Sequence, residues 1–458
     1  MSWMQRARLT ASRQPPRRAD HPLTLLLATR LLAAPDPFPG LPRCDGPLDA
    51  EAAVRLALRH SPVVAAAGHD VEMARQMLAM AQAAGRPMLA GTVWGTWGDG
   101  AMIVGGAPGV TPAPQRMAPA GGAADANLMA MAPLYTGGRT QAGVAAARSR
   151  AGASAAELAA VRLDLATMVR RLVRQAALMR AMVEVYDRLV ATAAERMRLD
   201  RAAADTGKVP AFYVLRDEAE LASARQQQTN AVRDYRVMLT DLVAALGVHP
   251  LSQVEVAADQ MPPATPWSVT DALDLAARQR PELASARAKV AAAGHDERAA
   301  AGAFAPQVAA LGMADLFSSR MAPRFEEFTL GVTVGLPLLD GGERSAALRR
   351  ARADKARLTA QEQDLALRVA AEVLAADARL TAARANLAAA QTGERAAGEN
   401  YRLALARYEA GKSLHVEVLD ALRMKVMAET SLQAARFDLA SAADALRRAV
   451  GEPGAGER

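Results

Sequence analysis

The 458-residue chain predicts a mainly α protein with membrane-type β-strands, internally duplicated, whose sheet can close only with strands from neighbouring chains. Three observations carry this expectation: one unit is written twice, certain segments alternate bulky apolar with small or polar residues at a period of two, and two helical stretches are far longer than a compact domain accommodates. Hydrophobic residues make up 51% of the chain but aromatic residues only 4%, so Ala and Leu carry the burial, as in long helices packed side by side.

The duplication shows in matched punctuation. Residues 49–65 match 268–284, pairing Ala53 with Ala272, Leu56 with Leu275 and Pro62 with Pro281, a spacing of 219 that persists to Pro87 and Pro306. A spacing of 204 then relates Pro133-Leu134-Tyr135-Thr136-Gly137-Gly138 to Pro337-Leu338-Leu339-Asp340-Gly341-Gly342, Gly207-Lys208 to Gly411-Lys412, and Gly247 to Gly451. The first copy therefore carries 15 extra residues, in a Gly/Pro/Ala/Met stretch around 98–126 that reads as a loop. The expected organisation is a leader and linker over 1–47, a first repeat over 48–250, a linker over 251–266, a second repeat over 267–452 and a tail over 453–458.

The first of these parts concentrates charge. Residues 1–34 hold six Arg and one acid, and the rest of the chain keeps 49 basic against 47 acidic residues, so the net charge of +7 is mostly a property of the leader. No nucleic-acid surface follows from it. The leader has a secretory layout, with a basic stretch, the apolar run Leu23–Ala28 and the small pair Ala33-Ala34. Arg30 interrupts the run, so a mis-assigned start or a degraded leader accounts for it equally well. The single cysteine, Cys44, excludes an intramolecular disulfide; Pro42 and Arg43 before it do not fit a lipid-anchor motif, and it reads as an ordinary thiol.

The strands come next. Phe328, Leu330, Val332, Val334, Leu336 and Leu338 alternate with Thr329, Gly331, Thr333, Gly335 and Pro337, which puts the bulky groups on one face. The length suits a membrane-crossing strand of about 9–11 residues. Gln307–Phe317 is the expected partner, and the first copy offers Met88–Trp97 and Asn127–Leu134. Trp94 and Trp97 suit either a membrane–water boundary or a soluble hairpin core. Four strands cannot close a barrel and open edges are not tolerated in lipid, so several chains must share one barrel; a dimer would supply eight strands, a trimer twelve.

The helices follow each Gly-Gly turn, over 139–205 and 343–409, uninterrupted by proline. Leu158, Val161, Leu165, Met168, Leu172, Gln175, Met179, Met182, Tyr186 and Leu189 form a heptad seam in the first, flanked by further apolar positions such as Val169 and Val173. Each helix is expected to span roughly 100 Å at 1.5 Å per residue. Gly207 and Gly411 end them, and a returning helix follows each, closing at Gly247 and Gly451.

This order, with the segments Asp49–Pro62 and Ser268–Pro281, the Pro337–Gly342 turn, and Tyr408-Glu409-Ala410-Gly411-Lys412-Ser413 leading to Val416–Ala421, resembles the outer-membrane efflux protein family, the TolC-like channels, over about residues 48–452. The resemblance implies a homotrimer with a shared 12-stranded β-barrel, four strands per chain, continuous with a long α-helical coiled-coil barrel in the periplasm. It implies a passive duct of a tripartite efflux pump or type I secretion system, partnered by a periplasmic adaptor, an inner-membrane transporter of the RND or ABC type, and outer-membrane lipid. It implies neither enzyme activity nor a cofactor. Gly207, Lys208, Gly411, Lys412 and Ser413 become the adaptor-docking tip, and Phe328, Leu330, Val332, Val334 and Leu336 the lipid-facing strand. Tyr408 falls on a gate tyrosine, and Glu417 and Asp420 on two acidic positions that ring the lumen and favour cations. Ser413 stands where the family has a gate arginine and Tyr213 where the first copy has an acid, so an identical salt-bridge lock is not implied.

Other chemistry finds no support in the residues. Ala410-Gly411-Lys412-Ser413 lacks the preceding glycine and strand of a phosphate loop. The six histidines are scattered and read as incidental polar residues. Met73, Met77 and Met80 share a helix face and Met129 and Met131 a strand face; thioethers bind Cu(I), which admits a copper or silver exporter, although packing of flexible apolar side chains explains the spacing as well. A soluble coiled-coil scaffold is the alternative class, distinguished by whether the Phe328–Leu338 face is covered.

Overall fold

The computed structural model of the protein describes residues 38, 40–97, 102–104, 116–118, 123–257, 266–319 and 325–452. The leader-like segment 1–34 and the tail 453–458 lie outside the described residues.

Each repeat begins with a kinked helix pair. In the first, α1 (Ala50–His60) starts where the Asp49 carboxylate accepts the Ala52 amide hydrogen, and α2 (Pro62–Ala83) opens on a proline. In the second, α5 (Val269–Gln279) starts on a reciprocal Ser268/Asp271 box, and α6 (Pro281–Gly302) again opens on proline. Both devices satisfy amide hydrogens that a helix start leaves without partners. The long helices are α3 (Arg139–Asp205) and α7 (Glu343–Glu409), each of 67 residues, and they return as α4 (Ala211–Leu246) and α8 (His415–Val450), each of 36. Identical lengths in both repeats confine the 15-residue difference to the strands and their connection.

Four strands form one antiparallel sheet in the order β2-β5-β7-β8, from β2 (Met88–Thr96), β5 (Ala123–Tyr135), β7 (Gln307–Ser319) and β8 (Phe325–Gly335). Gly/Pro-rich residues around 98–126, expected as a loop, include β3 (Met102–Val104) paired with β4 (Arg116–Ala118), and β5 starts before Asn127. The stretch expected as a linker contains β6 (Val254–Val256), which pairs in parallel with β1 (Gly46–Leu48). That pairing ties Cys44, whose amide donates to the Ser252 hydroxyl at 3.2 Å, to the first-repeat core.

β8 begins at Phe325 and ends at Gly335, so Leu336 and Leu338, expected to continue the lipid-facing row, lie beyond it. Pro337 has no N–H for a ladder, which explains the stop. Within the strands, register separates two faces. Phe328, Ala314, Leu128 and Gly91 lie side by side, as do Leu330, Gly312, Ala130 and Leu89. The opposite face aligns Glu327, Asp315, Asn127 and Thr92, with Asn127 donating to the Asp315 carboxylate. Phe328 and Leu330 are 71% and 73% exposed, so the apolar face is the uncovered one. Trp97 continues that face while Trp94 belongs to the polar one, one residue out of phase.

The helices pack into two cores near the middle of the long helices. The first joins Ala53 and Ala57 of α1, Val169 and Val173 of α3, and Leu242 and Leu246 of α4; the second joins Ala276 of α5, Val373 and Leu380 of α7, and Leu446 of α8. Gly247 and Gly451 close them in left-handed conformation, each against the kink of its own helix pair: a Cβ at Gly247 would meet the His60 carbonyl oxygen at 2.8 Å, and one at Gly451 the Arg280 nitrogen at 3.0 Å.

The seam expected on α3 is offset. The fully buried line within the protomer is Ala166, Val169, Val173, Ala176, then Leu189, Ala193, Arg196 and Asp200, whereas most of the expected seam is half-buried and Met168 is exposed. α3 touches α1, α2, α4, α6 and α8, so several apolar lines run along it, and a single 3-4 pattern does not identify the most buried one. Among the described residues, no helix is long and apolar enough to cross a membrane, which leaves the sheet as the only described element with an apolar uncovered face of membrane length.

Candidate functional site

At about 100 Å along the long helices from the sheet, estimated from 1.5 Å per residue, the two hairpin tips meet. Gly207 and Gly411 adopt left-handed conformation, and the amide hydrogens of Lys208 and Lys412 turn back to the carbonyls of Ala203 and Arg407. These bonds satisfy carbonyls that the helix end would otherwise strand. Gly207, Lys208, Gly411 and Lys412 are all exposed, as are the apolar Phe212, Leu215 and Leu414 beside them. Ser413 is half-buried, its hydroxyl 3.5 Å from the Ala404 carbonyl oxygen.

Just inside the tips lies a buried polar cluster. His415, the first residue of α8, is 1% exposed and places Nε2 2.8 Å from Asp217 Oδ1 on α4 and 3.2 Å from Asp200 Oδ2 on α3. Tyr408, near the end of α7, donates its hydroxyl hydrogen to Asp200 Oδ1 at 3.2 Å. Arg196, one turn before Asp200, brings Nη2 to 3.7 Å from its Oδ2 and lays its guanidinium 4.7 Å from the Tyr408 ring centre. Tyr213 stacks on the imidazole, with ring centres 4.7 Å apart and planes 16° apart. Burial raises the Asp200 carboxyl above its usual range, the neighbouring Asp217 raises it further, and Arg196 and Tyr408 oppose them. Burial and the Asp200 charge push the Tyr408 phenol up to about 12, so it stays a neutral donor at any physiological pH.

The expected acidic pair sits elsewhere. Glu417 and Asp420 are exposed on α8, one helical turn apart, between positions whose side chains are buried. Asp420 has Arg423 3.9 Å away, and that guanidinium also donates to Glu220 at 2.8 Å. The structure therefore brings Tyr408 into the buried cluster and leaves Glu417 and Asp420 outside it. His415, expected to be incidental, is the hub, because its ring fills a fully enclosed position between three helices. The signal was in the repeat: Asp200, Asp217 and His415 correspond at the spacing of 204 to Ala404, Ala421 and Ala211. At each of these matched positions one copy is polar and the other is alanine, so the two repeats differ most in chemistry where the tips close together.

Residues 53–248 and 272–452 match the outer membrane efflux protein family. The chain belongs to that family. It is accordingly an outer-membrane channel protein whose helices extend into the periplasm, and the family is one of passive channels, not enzymes. The outer membrane protein OprJ of Pseudomonas aeruginosa is 28% identical over 221 residues, which cover 45% of this chain and 44% of OprJ, less than half of either. VceC of Vibrio cholerae is similar in fold, with a TM-score of 0.75, 20% identity, and coverage of 88% of this chain and 96% of VceC. The open state of MtrE of Neisseria gonorrhoeae superposes with a TM-score of 0.74 at 20% identity, covering 88% of each chain. The outer-membrane location of this family sets aside the soluble-scaffold alternative.

Proposed function

We propose that three copies of this chain form the exit duct of a tripartite efflux pump, their twelve strands closing one barrel in the outer membrane and their helices one tube through the periplasm. The observation that carries this reading is the four-stranded sheet: among the described residues neither β2 nor β8 has a second neighbour, and one face is apolar and uncovered. Unpaired ladder groups cannot remain in hydrocarbon, so the edges require partners from other chains. The tips, with exposed Lys208, Lys412, Phe212 and Leu414, meet a periplasmic adaptor that connects to an inner-membrane pump.

A second feature supports the trimer. α6 packs against both long helices, α3 and α7, whereas its repeat counterpart α2 packs chiefly against α3. The α6 positions Ala292, Asp296 and Ala299 correspond at the spacing of 219 to Met73, Met77 and Met80. Asp296 receives a hydrogen bond from Arg150 of α3, while Met77 is 62% exposed. By repeat symmetry the methionine face is the place for a neighbour's α7, which accounts for these thioethers by packing rather than by copper or silver.

In this assembly Glu417 and Asp420 form two acidic rings facing the lumen near its periplasmic end. The test is purification in detergent followed by mass determination and planar-bilayer recording. A trimer that conducts, prefers cations, and loses that preference in the Glu417→Ala, Asp420→Ala double variant is expected. A monomer stable without detergent would sink the duct, and unchanged selectivity would sink the rings.

A further inference from the structure

We infer that Asp200, Asp217 and His415 form a binding site for one divalent transition-metal ion of the zinc class per protomer, a staple across the closed tip. Its ligand atoms come from α3, α4 and α8, hence from both repeats, and all lie within 4.8 Å of one another. Donors bound at about 2.0–2.2 Å around one zinc ion lie within such a distance of each other. All three residues are more than nine-tenths buried. Asp200 Oδ2 and Asp217 Oδ2 are shielded from solvent without a well-formed hydrogen bond: Asp200 Oδ2 has the imidazole Nε2 at 3.2 Å and the Arg196 guanidinium at 3.7 Å, and each carboxylate keeps an oxygen toward the imidazole. Buried carboxylate oxygens so poorly met are costly, and a cation between them removes the cost.

The donor set selects the ion. One imidazole with two carboxylates suits first-row divalent ions and is a poor match for magnesium or calcium, which take oxygen ligands alone. Charge permits it: two carboxylates against the Arg196 guanidinium leave one negative charge for the ion to meet. The Tyr408 hydroxyl on Asp200 is the hydrogen bond that orients a ligating carboxylate from outside. Tyr213, stacked on the ring, closes one side of the imidazole. His415 lies four residues after Gly411 and Asp217 ten after Gly207, so an ion held here ties together the segments that return from the two glycine turns, whose separation would widen the tube. That consequence rests on the duct reading; the binding itself does not.

The detergent-solubilised full-length protein, stripped with chelator, would be titrated with Co2+ alone and then with Zn2+ alone. Expected is a visible d–d absorption saturating at one Co2+ per protomer and displaced by Zn2+. Affinity should fall at least tenfold in His415→Ala and in Asp217→Asn, and remain unchanged in Glu417→Gln with Asp420→Asn. Asp217→Asn keeps the side chain's shape, so it carries the result if His415→Ala does not assemble. Absence of stoichiometric binding would overturn the site. Binding that survives both ligand variants, or that is lost with Glu417 and Asp420, would overturn it equally. In bilayers, Zn2+ should reduce opening of the native channel and not of Asp217→Asn. A protein that binds the ion at these residues yet conducts nothing would retain the site and reject the duct.

Discussion

The two long helices are of one length and occupy matched places in the repeat, yet they are buried unequally. α3 holds sixteen buried residues and α7 only five. Leu163 and Leu367 correspond at the spacing of 204; the first is 4% exposed and the second 72%. The same sequence character thus meets an interior in one repeat and open surface in the other. In the proposed assembly the second flank is completed by another copy, and every second junction in the ring of helices lies between chains.

The largest effect expected separates the junction inside the protomer from those between protomers. Arg174 of α3 donates to Asp444 of α8 at 2.7 Å with both side chains buried, joining the two repeats. Their counterparts at the spacing of 204 are Ala378 and Thr240, so no equivalent pair joins neighbouring chains. Asp444→Ala leaves a buried guanidinium without this carboxylate, and breaking such a pair costs about 3–5 kcal/mol. Thermal unfolding by circular dichroism should show the loss in the protomer. A change under about 1 kcal/mol would mean the pair is solvated in the assembly.

The leucine pair sharpens the point. Leu163→Ala should cost about 2–5 kcal/mol through the cavity it leaves. Leu367→Asp should leave the secondary structure intact and release monomers in size-exclusion chromatography in detergent. Retention of the trimer with Leu367→Asp would place that flank in water and return the asymmetry to chance. A smaller effect tests the symmetric part of the molecule: Gly247→Ala and Gly451→Ala each force a side chain into left-handed backbone, about 1–2 kcal/mol, against a near contact with the paired helix. Similar losses at both sites are expected, because both repeats end the same way against their own kinks.

How much of this was readable before any coordinates depended on whether a residue answers to its neighbours in sequence or in space. The glycine turns, the strand alternation of Phe328 to Val334 and the helix boundaries 139–205 and 343–409 were legible, since period and backbone conformation are local properties. Most of the α3 seam was placed beside the most buried line, the two sharing Leu189, because five helices press on that helix and pattern alone does not rank them. The tip cluster was half legible. Tyr408 came from resemblance, but His415, Asp200 and Asp217 are separated by up to 215 residues and acquire meaning only when α3, α4 and α8 converge. Repeat comparison supplies the rule for such a site: a polar residue opposite Ala in the sister copy is a better candidate than a polar residue judged alone.

The weakest expected effect contrasts the bases of the two repeats under acid. Glu372 of α7 receives Arg280 at 2.9 Å and Arg448 at 2.6 Å. Burial raises its carboxyl, but the two guanidiniums outweigh burial and hold it below the usual 4.5. At the matched position the first repeat has Met168, with no carboxylate to titrate. A carboxyl depressed on folding contributes stability that is complete above the unfolded value, here 4.5, and is lost as pH falls through the lower folded value. As pH falls from 4.5 through the lower folded value, the Arg280–Glu372–Arg448 network loses this charge; the base of the first repeat, held by the Arg170–Glu51 pair at 2.8 Å, has no carboxylate at the place of Glu372. Hydrogen exchange should therefore accelerate at the α5–α6 kink, residues 279–283, more than at the α1–α2 kink, residues 60–64. Equal acceleration at both would show that acid acts on the helical tube as a whole, and that the ion network at the second base adds nothing to the packing the two repeats share.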